Sequence, residues 1–272
     1  MEQKQINIIG AGLAGVEAAY YLAQKGYKVD LYEQRPLNTT GAHHTDLFGE
    51  LVCSNSLKNK NLDNACGLLK EEMRQFDSLI LKSASLSEVP AGNALSVDRD
   101  IFSQYITEVI KSHPLIEVHN EEVSSLKPGI NIIATGPLTS EKMIKHLESF
   151  FDEDPLYFYD AAAPIISKDS INMDVAYYKS RYDQGDDSYI NCPFTKDEYE
   201  RFYQELIHGE RAKLHEFDKV FESCMPIEVM ALRGEKTLRF GPLKPKGLEH
   251  NGVKPYAVLQ LRQDNISASL YN

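Results

Sequence analysis

The sequence is short of several things, and each shortage closes off a class of protein. Tryptophan is absent, and cysteine occurs only four times, at Cys53, Cys66, Cys192 and Cys224. The four lie far apart and no C-x-x-C occurs, so neither a zinc ribbon nor a thioredoxin-type pair is expected. Four cysteines in 272 residues do not read as a disulfide framework, and free thiols in a reducing cytosol are expected instead. Long apolar runs are missing as well. The apolar start, residues 6–23, is broken by Asn7, three glycines and Glu17, and no window reads as a transmembrane span. Nor do a basic front and a cleavage site mark a signal peptide. Basic residues are outnumbered, 29 against 40 acidic, for a formal net charge of −11. That excludes a uniformly basic nucleic-acid coat but leaves room for a local basic patch. There is no internal repeat and no low-complexity tract. A composition 42% hydrophobic and 25% charged is that of a folded soluble chain, long enough for one large domain or two modest ones.

What is present begins with a strand–turn–helix–strand unit. Residues 5–9 read as a short buried strand, 13–25 as a helix closed by Gly26, and 28–33 as a second strand. The turn between them is Gly10-Ala11-Gly12-Leu13-Ala14-Gly15, a G-x-G-x-x-G. In this setting Gly10 permits the tight turn, Gly12 lets the backbone approach a pyrophosphate, and Gly15 lets the helix pack on the strand. The helix N-terminus then presents N–H groups and a positive dipole end to the phosphates. Glu33, 23 residues after Gly10, is placed to accept from a ribose diol. The pattern alone suits FAD or NAD, and a glycine-rich turn in another α/β protein is the competing reading. Thr135 and Gly136, closing a later strand in Ala134-Thr135-Gly136, favour FAD by analogy with flavoproteins of this fold.

Further along, helices are expected over 68–81, 99–112 (with Asp98 as its cap), 140–150, 196–206 and 212–220, and strands over 116–119 and 131–134. Residues 36–66 read as polar loop, 152–189 as an inserted β-containing region, and the chain from Ala231 onward as strand-like pieces. Residues 233–254 carry six basic side chains against two acidic ones, counter to the global charge. They form either part of a local basic surface or an ordinary solvated loop face. Cys53 lies in a polar loop, in the run Cys53-Ser54-Asn55-Ser56, and Cys224 precedes Met225-Pro226. Either is a chemical or a structural thiol on position alone, whereas Cys66 and Cys192 read as structural. His43 and His44 are adjacent and would face opposite ways on a strand, which speaks against one metal held by both. No metal site is expected. The pair supplies either a contact to an anionic ligand or ordinary loop histidines.

Longer strings carry a resemblance. His43-His44-Thr45-Asp46, Glu50-Leu51-Val52-Cys53-Ser54-Asn55-Ser56-Leu57, Val97-Asp98-Arg99, Ala134-Thr135-Gly136-Pro137-Leu138-Thr139-Ser140, Asn191-Cys192-Pro193, Cys224-Met225-Pro226-Ile227-Glu228, Arg239-Phe240-Gly241-Pro242 and Gln260-Leu261-Arg262-Gln263-Asp264-Asn265 resemble the folate- and FAD-dependent tRNA uracil-5-methyltransferases, the TrmFO or Gid family. The likeness runs from about Ile6 to the last residue and is far more specific than the glycine turn.

The resemblance implies methylation of uridine C5 in the T loop of tRNA. The carbon would come from 5,10-methylenetetrahydrofolate and the reducing equivalents from NAD(P)H through bound FAD. The same chemistry on a ribosomal-RNA uridine is an alternative, as is an inactive flavin-binding remnant. The family's two functional cysteines fall on Cys53 and Cys224. A thiolate added to uracil C6 makes C5 nucleophilic, and Cys224 is the expected nucleophile. Cys53 is expected close to the flavin, shielding the reactive one-carbon species. The target base must leave its stack. The implied architecture is α/β: a Rossmann-like FAD-binding domain over residues 1–150, with an inserted α+β region over 151–272 facing the RNA. The family continues past Asn272, so both parts are expected to be incomplete here. A cytoplasmic protein is expected, with no membrane partner and an oligomeric state left open.

Overall fold

The computed structural model describes residues 5–151, 163–183, 187–210 and 225–272. Its first half is organised by a parallel sheet. Strands β1 (Ile6–Ile9), β2 (Val29–Glu33), β6 (Ile116–Asn120) and β7 (Ile130–Ile133) lie in the order β6-β2-β1-β7. Ile6 pairs with Val29 on one side and Ile130 on the other, and the register holds through Ile9. The central strand β1, Ile-Asn-Ile-Ile, is buried along its whole length because both faces of the sheet are covered there, whereas the edge strands β6 and β7 are partly exposed. Ile6, Ile8, Val29 and Leu31 pack under helices α1 (Leu13–Gln24), α3 (Leu79–Leu86) and α4 (Arg99–Ser112), against Val16, Ala19, Leu79, Phe102 and Ile106. Ile9 and Tyr32 meet Val123 and Met143 of helix α5 (Glu141–Phe151) in a separate buried cluster. Burying one such aliphatic side chain contributes about 1.5–3 kcal/mol. Asp98 caps α4 as expected, its Oδ1 accepting from the amides of Asp100 and Ile101 at 3.1 Å.

Two readings of this half are corrected. Residues 68–81 are not one helix but the end of α2 (Ala65–Gln75) and the start of α3. Asp77 turns into the left-handed region (φ 62°) and the Ser78 hydroxyl then caps Leu81, so a new helix begins. Within the expected loop, β3 (Ser56–Asn59) pairs with β5 (Ala94–Val97), which also carries the short β4 (Glu88–Val89). Four residues with one apolar side chain gave no alternation to detect.

The second half is α+β. Strands β9 (Tyr177–Tyr178), β10 (Ile190–Phe194) and β11 (Ala257–Leu261) form an antiparallel sheet, and β8 (Ile166–Ser167) pairs with β12 (Leu270–Tyr271). Helix α6 (Lys196–His208) opens on a capping box, Thr195 with Glu198. It packs Tyr199 into a core of Ala231, Leu238, Leu243 and Ala257. The chain just after Ala231 is helical, not strand-like: α7 (Ile227–Leu232) and α8 (Glu235–Phe240) are separated by Gly234 at φ 122°. The helix expected over 212–220 lies outside the described residues. Among those described, no helix is long and apolar enough to cross a membrane.

Candidate dinucleotide cleft and thiol loop

The glycine turn sits at the carboxyl ends of β1, β2 and β7, where open parallel sheets bind their ligands. Gly10 adopts φ +100°, and a Cβ there would lie 2.7 Å from the Ala134 carbonyl oxygen. A Cβ on Gly15 would overlap the carbonyl of Gly10, so α1 can sit this close to β1 only with glycine at that position. Gly12 differs: a Cβ would meet nothing within 4 Å, because it would project into the open cleft. Gly12 is also the N-cap of α1, with no side-chain cap and no acidic residue in the first turn. An uncapped helix end beside an open cradle suits a phosphate group. The cleft measures about 290 Å³, and its lining includes Gly12, Leu13, Ala14, Glu33, Thr135 and Gly136. Ala11, buried under it, contributes its amide to Glu33. Thr135 Oγ1 lies 2.6 Å from Thr139 Oγ1, and Gly136 (φ +60°) starts the short turn that forms one wall.

Glu33 is held on three sides. Its Oε2 accepts from the Ala11 amide at 2.9 Å, and its Oε1 accepts from the amide and Nε of Arg35 at 3.1 and 3.0 Å. Burial pushes this carboxyl upward, but the Arg35 guanidinium and the two amides outweigh it and hold it below the ordinary glutamate value. Arg35 is itself buried. Its Nη1 reaches Glu50 Oε2 at 3.0 Å and the Thr45 carbonyl at 3.1 Å. Glu50 in turn accepts from the amides of His44 and Thr45 and from the Thr45 hydroxyl. The Glu33–Arg35–Glu50 triad therefore pins the loop that leads to Cys53 onto the cleft wall. The two histidines part company as expected of neighbours: His43 lines this cleft, while His44 lines a second cavity beside Asp98, Arg99 and Asp264.

Cys53 is half-buried and free. Its neighbour Val52 lines the dinucleotide cleft and its other neighbour, Ser54, lines a separate polar cavity, so the backbone at Cys53 runs between the two. Arg99 fixes that stretch of backbone. Its Nη1 donates to the Leu51 carbonyl at 2.7 Å, its Nη2 to the Cys53 carbonyl at 3.4 Å, and its Nε to Asp264 Oδ1 at 3.1 Å. Asn55 Nδ2 donates to the carbonyls of Val97 and Gln263, and Asn272 Nδ2 bridges Asn55 Oδ1 and Asp264 Oδ1. Three strings far apart in sequence thus meet around the loop that carries Cys53. Cys224 lies outside the described residues. Cys192 packs beside a buried cluster of the second half, and burial alone raises its thiol pKa, as suits a structural cysteine. Cys66 lies in the first turn of α2, its amide bound by the Asn64 cap. In the basic segment, Arg233, Lys236, Lys246 and Lys254 are exposed. Arg239 is committed internally, donating to the Tyr256 carbonyl and lying 4.0 Å over its ring.

Arg35, Glu50, Arg99 and Asp264 had no role assigned from sequence. The available signal was a basic residue two places beyond Glu33, together with the recurrence of charged residues inside the resembling strings.

A parallel sheet with a glycine turn, an open helix end and an acidic strand terminus defines a dinucleotide-binding α/β protein. The sequence profile of the family described as "Glucose inhibited division protein A" matches residues 5–272, and the chain belongs to that family. Among curated proteins it is 59% identical over 274 residues to the "Methylenetetrahydrofolate--tRNA-(uracil-5-)-methyltransferase TrmFO" of Listeria welshimeri, covering 99% of this chain and 63% of that one. It is 58% identical over 276 residues to the protein of the same description from Staphylococcus carnosus, covering 100% and 63%. The chain therefore spans about 63% of the length of these relatives. Among solved structures, Aquifex aeolicus GidA in its form II crystal superposes with a TM-score of 0.60 at 15% identity, over 95% of this chain and 50% of that one. That likeness bears on the fold.

Proposed function

We propose that this chain belongs to an enzyme that methylates uridine C5 in tRNA, with 5,10-methylenetetrahydrofolate as carbon donor and NAD(P)H as reductant. One observation carries the reading: a free, half-buried cysteine directly follows Val52, a lining residue of the dinucleotide cleft, in a chain 58–59% identical to proteins described as carrying out that methylation. FAD fits the cleft. Gly10, Ala11, Gly12 and the first turn of α1, Leu13-Ala14-Gly15, would hold its pyrophosphate, with Glu33 beside the ribose and Thr135 and Gly136 along the opposite wall. Bound there, FAD supplies redox chemistry on the one-carbon unit that side chains cannot perform.

The protein's own groups do the rest. In this reading the Cys224 thiolate adds to C6 of a flipped uracil, so that C5 acquires enolate character and becomes nucleophilic. Cys53, next to the cleft-lining Val52, is taken to shield the reacting carbon from water. Residues 1–150 are taken as the FAD-binding unit and 151–272 as the inserted, RNA-facing unit, in a cytoplasmic protein. The test is a visible spectrum of the purified chain, followed by transfer from labelled 5,10-methylenetetrahydrofolate to unmodified tRNA and to ribosomal RNA. Bound flavin and labelled tRNA are expected. Label confined to ribosomal RNA would redirect the reading, and a chain without flavin that gains none on adding FAD would sink it.

A further inference from the structure

One residue beyond Cys53, Ser54 reaches a second cavity of about 620 Å³, bounded also by Asn93, Arg181, Tyr182, Gln260 and Arg262 among others. Its chemistry is cationic and aromatic, and among the described residues no acidic side chain lines it. Arg181 donates to the carbonyls of Lys244 and Lys246 at 2.8 and 2.7 Å and to Gln260 Oε1 at 2.8 Å, all neutral acceptors. Arg262 donates to Ser54 Oγ at 3.3 Å, another neutral partner, while its buried Nε has no partner. Both side chains are half-buried, and among the described residues their guanidinium groups meet only neutral acceptors, in a chain of net charge −11, so their charge is left for an anion to balance. The guanidinium fork matches an oxyanion. At the same cavity Tyr182 is 48% exposed, with its backbone in the left-handed region at φ 60°. Its ring lies against Gly247, where a Cβ would come within 2.6 Å of it. A fixed, exposed ring beside paired cations is the arrangement that holds single-stranded nucleic acid.

We propose that this cavity seats an unstacked nucleotide next to the reacting uridine, with its phosphodiester on Arg262 and Arg181 and its base on Tyr182. The proposal rests on the RNA reading above and extends it by assigning a subsite. The carboxylates of a folate offer the same oxyanion chemistry, so the experiment has two arms: titration with unmodified tRNA transcript over a series of salt concentrations, and titration with tetrahydrofolate. Arg262→Gln should weaken tRNA binding about tenfold at low salt and make the salt dependence shallower by about 0.7–0.9 in log–log slope, the loss of one phosphate contact. Arg262→Lys should keep most of the slope. Tyr182→Ala should weaken binding about tenfold with the slope unchanged, and Tyr182→Phe should leave it intact. Tetrahydrofolate affinity should not move in any variant. Because Tyr182 is exposed, its two variants carry the test alone if Arg262→Gln fails to fold. Unchanged tRNA affinity in the folded variants overturns the subsite, and so does loss of tetrahydrofolate binding with tRNA binding intact. Failure of the unaltered chain to bind tRNA overturns the RNA reading beneath it.

Discussion

The dinucleotide cleft and the Cys53 loop share the 50–54 segment, but they are held in place differently. The cleft draws its geometry from backbone: a turn with φ +100° at Gly10, a helix seated where a Cβ cannot fit, and strands in unbroken register. The loop has no regular structure of its own around the thiol. It hangs from side chains that reach 46, 165 and 208 positions along the chain, from Arg99 to Cys53, from Arg99 to Asp264, and from Asn55 to Gln263. The first design tolerates almost no change in residue size. The second tolerates almost no change in hydrogen-bonding geometry.

The largest effect is expected where the two designs join, at Arg35. Arg35→Met leaves Glu33 and Glu50 buried without their cation and should cost about 3–5 kcal/mol in urea unfolding. A related test uses pH. Since the folded-state pKa of Glu33 is depressed, its stabilising contribution is complete above the ordinary carboxyl value of 4.5 and fades as pH falls through the lower, folded value. Glu33→Gln should therefore flatten the loss of stability below that pH. An unchanged acid limb would mean that the Arg35 contacts do not matter energetically.

Next come the glycines, which should separate folding from binding. Gly15→Ala forces α1 away from β1 and should cost about 1–3 kcal/mol along with flavin. Gly12→Ala should fold normally, with an unchanged melting temperature, yet bind FAD poorly because its methyl group occupies the cradle. Equal destabilisation by both would erase the distinction. In the thiol loop, Arg99→Lys loses the fork that spans two carbonyls and Asp264. It should slow methyl transfer roughly 10- to 100-fold, as positional errors do. Flavin content should stay constant, and the rate at which iodoacetamide alkylates Cys53 should change. The smallest effect belongs to the second half: Thr195→Ala removes the α6 capping box and should lower stability by about 1 kcal/mol without touching flavin.

The same contrast explains what could be read from residues alone. Strands β1 and β2 are legible because they flank a glycine turn and helix at the spacing of a strand–helix–strand unit, β7 because it is a short aliphatic run, and Asp98 is legible as a cap because capping is local. The break at Asp77 was missed because a continuous apolar pattern ran across it and only the Ser78 cap marks the restart. The helices after Ala231 were missed because glycine and proline spacing resembles strand punctuation as much as it does short helices. Around the thiol, residue identities stood out, but the hydrogen bonds did not. Nothing local in Arg99 or Asp264 names the other, since their pairing is made by the return of the chain after β11.

That return also sets an order in time. The four parallel strands are all synthesised by Ile133, and the far wall of the glycine cleft, through Met143, follows ten residues later. Asp264 and Asn272 leave the ribosome on the order of ten seconds later, at ordinary rates of about 5–20 residues per second. Until they arrive, Arg99 lacks its carboxylate and Asn55 its tether. Cys53 is thus among the first residues made, while the contacts that fix its loop are among the last to form.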